Sequence, residues 1–136
     1  MKALSESQQR SFRSTVYVIE EKLRDMEATV TYAKANQQPG ELLTLEYDLN
    51  EDEFQSFQNT AAEIRKVLRD IVKTYGLEGE SVSLKHLLTT KASFIWEDVT
   101  GAPFDRLKGH GEIDESLRKR YENLFKQLEI LTDKLI

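Results

Sequence analysis

The sequence predicts an all-α protein: an antiparallel up-down-up-down four-helix bundle with a long helix 1 and two long connections. Three observations carry this. Apolar residues recur at alternating gaps of three and four in separate stretches of the chain. That spacing lays them along one helical face, and the alternation of a strand cannot produce it. Residues that start and stop helices bracket these stretches, and each stretch is apolar along one stripe only, so four stripes call for one shared core. The 136 residues are expected to form a single domain, 1–136, with helices at about 6–36, 51–75, 82–99 and 115–135.

The first helix is signalled by Ser5 and Gln8, an S-x-x-Q capping box in which each side chain satisfies an orphan backbone N–H. Its seam runs Phe12, Val16, Ile19, Leu23, Met26, Val30, Ala33, and Pro39-Gly40 is read as its stop. The second helix opens at Asn50, an N-cap, with Glu53 at the third helical position and Leu49 placed to staple onto Phe54. Its seam is Phe54, Phe57, Ala61, Ile64, Leu68, Ile71, Tyr75, followed by Gly76 as a left-handed terminator and Leu77 as its apolar contact.

The third helix is capped by Ser81 or Ser83. Leu84, Leu87, Leu88, Ala92, Ile95 and Val99 give it one broad face, flanked by Phe94 and Trp96, and Thr100-Gly101-Ala102-Pro103 ends it. The fourth follows Asp114, with Leu117, Tyr121, Leu124, Leu128, Leu131 and Leu135 as the seam and Phe125 and Ile130 widening it. Leu68 and Leu128 sit within their seams, so aspartate at either is expected to abolish cooperative folding by burying an unpaired charge.

Two connections exceed ordinary bundle loops. In residues 37–49, Leu43, Leu45, Tyr47 and Leu49 alternate with Thr44, Glu46 and Asp48, a strand pattern with no second strand to pair with. It is read as an extended segment lying along the bundle. Residues 100–114 hold one helical turn, Phe104 to Lys108, and then Gly109-His110-Gly111. Helix 1, at roughly 30 residues, spans ~45 Å, and helix 3, at about 18, spans ~27 Å. Part of helix 1 therefore overhangs and needs cover, from the connections or from a second molecule.

Composition narrows the function classes. The net charge is −5, which repels nucleic acid and anionic membrane alike. With no cysteine there is no disulfide framework, thiolate metal site or cysteine nucleophile. The opening Met1-Lys2-Ala3-Leu4-Ser5-Glu6 lacks the apolar core of a signal peptide, and no apolar run approaches the ~20 residues that span a bilayer. The expectation is a cytoplasmic chain with no membrane partner. Only His86 and His110 are present, and neither follows a Glu by three residues, so no metal and no cofactor is expected.

Asp105-Arg106-Leu107-Lys108-Gly109 resembles, in its last three positions, the His-x-Leu-Lys-Gly motif of histidine phosphotransfer domains, which are also four-helix bundles. Asp105 stands where that family has its reactive histidine, and His110 lies after the glycine. Arg106 and His110 are similar to the Arg/His pair of ribonuclease bundles from bacterial toxin–antitoxin systems, but only three residues separate them where that family has four to six. Ser116 and Lys119 match Ser-x-x-Lys by letters alone, and a serine in a first helical turn has a structural role of its own.

Two candidate surfaces remain. Arg106, Lys108 and His110, with the backbone N–H groups of Gly109 and Gly111, could hold an anion such as a phosphate. Trp96, Arg118, Lys119 and Arg120 are candidate contact residues. Trp is enriched at interface hot spots, and the three successive cations stand near a helix start, where the helix dipole disfavours them. Glu46, Asp48, Glu51, Asp52 and Glu53 form an acidic run, read first as a solvated helix N-terminus whose dipole favours acids and otherwise as a docking patch for a basic partner. The leading expectation is a non-enzymatic bundle acting by protein contact or self-association, with a homodimer covering the overhang. The alternative is an enzyme or phosphate-ligand binder using the loop between helices 3 and 4. Nucleic-acid binding through 118–120 ranks last.

Overall fold

The computed structural model describes residues 3–37 and 40–135. The described chain is all-helical: α1 (Glu6–Lys34), α2 (Glu51–Thr74), α3 (Leu84–Thr100) and α4 (Arg118–Asp133), with 3₁₀ segments at Phe104–His110 and Glu115–Leu117. Its contacts cluster into two compact units, Met1–Gly79 and Glu80–Ile136.

In the first unit both helix starts are reciprocal capping boxes. Ser5 accepts from the Gln8 N–H and Gln8 from the Ser5 N–H, at 3.1 and 2.9 Å. Asn50 and Glu53 do the same at 2.8 and 3.1 Å. The end of α1 departs from expectation. The helix stops at Lys34, not 36, because Asn36 takes a left-handed φ of 56°. The Gln37 N–H then reaches Tyr32 O and the Asn36 N–H reaches Ala33 O, a Schellman closure that needs no proline. Pro39, the expected stop, lies outside the described residues. The end of α2 repeats the motif. Gly76, at φ 59°, and Leu77 donate to Lys73 O and Val72 O. This turn carries Leu77 into a buried cluster with Val16 and Leu68, against which Phe12, Ile71 and Val72 pack.

Packing in this unit splits each seam in two. Val16 and Leu23 on α1, and Phe54, Ala61 and Leu68 on α2, are buried at spacings of seven. The other stripe stays open: Ile19, Met26 (54% exposed) and Ile64. In a two-stranded coiled coil one neighbour buries both positions of such a seam; here α1 and α2 fully bury only one of the two in each other. Arg65 pairs with Glu27 across the helices, Phe12 and Tyr75 rings lie 5.1 Å apart, and the Lys34 ammonium stands 3.5 Å above the Phe54 ring. Between α1 and α2, residues 40–42 bend and residues 43–49 form neither helix nor strand ladder. Leu45, Tyr47 and Leu49 are half-buried, while Thr44, Glu46 and Asp48 are exposed.

In the second unit α3 begins at Leu84, with Ser83 as its cap, accepting from the His86 N–H at 3.2 Å. The helix therefore starts two residues later than the expected 82. The start of α4 is also later than the expected 115. Asp114 accepts from Ser116 N–H at 2.9 Å and caps a 3₁₀ turn, and the α-helix proper begins at Arg118 with no side-chain cap. Phe104 is the anchor of the unit, 2% exposed, edge-on to Tyr121 at 5.4 Å. Tyr121 stacks on Phe125 at 4.4 Å and donates its hydroxyl to Ala102 O at 2.5 Å.

Candidate functional site

The connection from α3 to α4 gathers most of the charged chemistry the sequence singled out. Pro103 starts the Phe104–His110 segment, and burial of Phe104 turns Asp105 and Lys108 toward the start of α4. There Arg118 donates from Nε to Glu115 at 2.7 Å and from Nη2 to Asp105 at 2.5 Å. Lys108 Nζ lies 2.9 Å from Glu115 and 3.4 Å from Asp105. Each cation bridges both acids, so the four charges close a ring, and the Arg118 guanidinium also covers the Phe104 face at 4.6 Å.

The ring sets the titration of its members. The Arg118 and then the Lys108 hydrogen bonds push the Glu115 carboxyl down to about 2 and hold Asp105 below the usual carboxylate range. Glu115, then Asp105, raise Lys108 and Arg118. Asp114 is lowered by its bond to the Ser116 backbone. Asp105, Lys108, Asp114 and Glu115 are exposed, and Arg118 is half-buried. Their pairing answers the misfit noted at the start of α4, because Arg118 meets two carboxylates at the helix end that would otherwise repel it.

The candidate anion site is thus furnished with its own anions. Lys108 and Arg118 are held by Asp105 and Glu115, and Arg106 donates to Gly101 O at 2.6 Å. The Gly111 N–H donates to Lys108 O. His110, Gly109 and Gly111 are exposed, and no side-chain bond joins His110 to Arg106 or Lys108. An incoming phosphate would have to displace carboxylates to reach Lys108. The sequence reading overlooked Glu115 and valued Asp105 only as a missing histidine. The three-residue spacings Asp105–Lys108 and Glu115–Arg118 were the available signal.

The contact candidates fall differently. Lys119 and Arg120 are exposed and make no ion pair among the described residues. Trp96, 41% exposed, lines a cleft of about 470 Å³ between α3 and α4, together with Glu97 and Asp133. More broadly, α3 has no buried residue at all, and Leu84, Leu88, Phe94 and Ile95 are exposed with Trp96. In the first unit a groove of about 520 Å³ runs between α1 and α2 over Phe54 and Phe57, with Lys34 and the Glu27–Arg65 pair along it.

Among the described residues no three metal-ligating side chains gather, and no helix is long and apolar enough to cross a membrane. No family model, no curated protein and no solved structure matches the chain.

Proposed function

We propose that the chain is an antiparallel up-down-up-down four-helix protein of the cytoplasm that works by protein contact, with a second copy of itself or with another protein, and not by catalysis. The observation that carries this is α3: a 17-residue helix with no buried side chain and five large apolar ones exposed. Soluble proteins seldom leave that much apolar surface in water without a use for it. The open stripes have the same implication. Ile19, Met26 and Ile64 in one unit, and Leu124, Leu128 and Leu131 in the other, are the layer a closed bundle would bury. Bundle closure still leaves a mismatch of length, since 29 residues of α1 span ~43 Å and 17 of α3 span ~26 Å. A partner that covers the remainder completes the core.

The test is light scattering on the purified protein across a wide concentration range, beside the double variant Leu88→Glu/Phe94→Glu. The expected result is a wild-type mass above the monomer that falls in the variant while helicity is kept. A wild type that stays monomeric at high micromolar concentration and gives no enhancement of an apolar-surface dye has no open contact face, and the reading fails.

A further inference from the structure

We propose that the cleft between α3 and α4, walled by Trp96 and edged by Glu97 and Asp133, receives a lysine or arginine side chain from a protein partner. This rests on the contact reading above and gives the partner its chemistry. The cleft, about 470 Å³, is larger than one side chain needs and is built by residues of a single unit.

Three facts select a cation. First, the hydroxyls in the cleft are already committed as donors to their own helices. Thr89 donates to Lys85 O at 2.9 Å, Ser93 to Thr89 O at 3.1 Å and Thr132 to Leu128 O at 2.7 Å. Glu97 and Asp133 form no ion pair among the described residues, so the cleft presents two uncompensated carboxylates and no cation. Second, both acids stand in the last turn of their own helix, and neither helix has a basic residue there. The negative end of the helix dipole makes those positions unfavourable for an acid and favourable for an incoming cation. A local rule broken twice around one concavity is the pattern of a functional surface. Third, the wall is an indole, the ring whose face attracts ammonium and guanidinium groups most strongly. The net charge of −5 adds long-range attraction for a basic partner.

Trp96 is the chain's only tryptophan, so its emission reads the cleft directly. The probe is an acetylated, amidated tetra-arginine peptide titrated into the full chain, with tetra-glutamate and tetra-glutamine peptides as controls. The expected result is a saturable change in emission with tetra-arginine alone, abolished at high salt. It should weaken about tenfold in Glu97→Gln/Asp133→Asn and by an intermediate amount in Glu97→Gln. Circular dichroism establishes that both variants keep their helix content.

Absence of a saturable change overturns the proposal. So does an equal response to tetra-glutamate, or an affinity untouched in the double variant. An emission change that follows protein concentration with no peptide present would put a second copy in the cleft and overturn the foreign basic partner. Self-association is measured separately by light scattering. A failed titration beside a mass above the monomer therefore removes the basic ligand alone, and a monomeric mass with no dye response removes the contact reading itself.

Discussion

At the scale of the residue, the ring of Asp105, Lys108, Glu115 and Arg118 predicts an acid limb. The folded pKa of Glu115, about 2, lies below the ~4.3 of a free glutamate, so the unfolded chain binds the proton more readily. The stability Glu115 contributes is complete above about pH 5 and is lost as the pH falls toward about 2. Thermal melts of wild type and Glu115→Gln should differ by a constant amount above about pH 5 and converge near pH 2. Parallel profiles would mean that the ring does not form in solution. The sequence showed the cations of this ring and misjudged their company. Asp105 and Glu115 are ten residues apart, and only the turns between them bring their oxygens to the same two cations. Spacing rules read along one helix, and this cluster is assembled across a bend.

At the scale of the element, the caps were the most legible feature. The capping boxes at Ser5 and Asn50, and the Gly76–Leu77 closure, are local patterns whose partners lie within a few residues. The misses are local too. Asn36 ends α1 because asparagine tolerates a left-handed backbone better than its neighbours Ala35 and Gln37, and the more conspicuous Pro39-Gly40 drew the boundary too far. Asn36→Gly is accordingly expected to leave stability unchanged or slightly raised, and Asn36→Val to lower it by about 1–2 kcal/mol in urea unfolding. Equal effects of the two would contradict the left-handed turn. Replacing the cap with Asn50→Ala should cost about 1 kcal/mol by the same measurement. At the start of α4, Asp114, after which the sequence places the helix, caps a 3₁₀ turn before the α-helix takes over.

At the scale of the whole molecule, the helical class was legible from periodicity, while the arrangement of helices was not. A heptad seam says that a helix has two apolar stripes. It does not say which neighbour covers which stripe. Leu68 is buried between α2 and its surroundings, and Leu68→Asp should abolish cooperative unfolding. Leu128 is 45% exposed, so the charge introduced by Leu128→Asp stays in water unless something closes over it. Under the proposed bundle it should cost at least about 2 kcal/mol, though less than Leu68→Asp. A melting curve identical to wild type would leave the α4 stripe open and argue against bundle closure. Trp96 illustrates the same limit. Its sequence setting marked it as a contact candidate, yet the cleft beside it depends on Asp133, thirty-seven positions further on.

The Tyr121 hydroxyl on Ala102 O has a consequence for the chain as a polymer. With the Arg118–Asp105 pair it ties the α3–α4 connection shut at its base, so Gly109-His110-Gly111, at the end of the 3₁₀ segment, is the exposed tip of a closed loop. Lengthening a loop that is already closed costs little entropy, about 0.6 kcal/mol for each doubling. Gly109 has open space where a side chain would stand, so residues added there meet no obstruction, whereas Gly111, at φ 135°, is to be kept as glycine. The tip is where the chain can accept a foreign peptide between two helices without unfastening either.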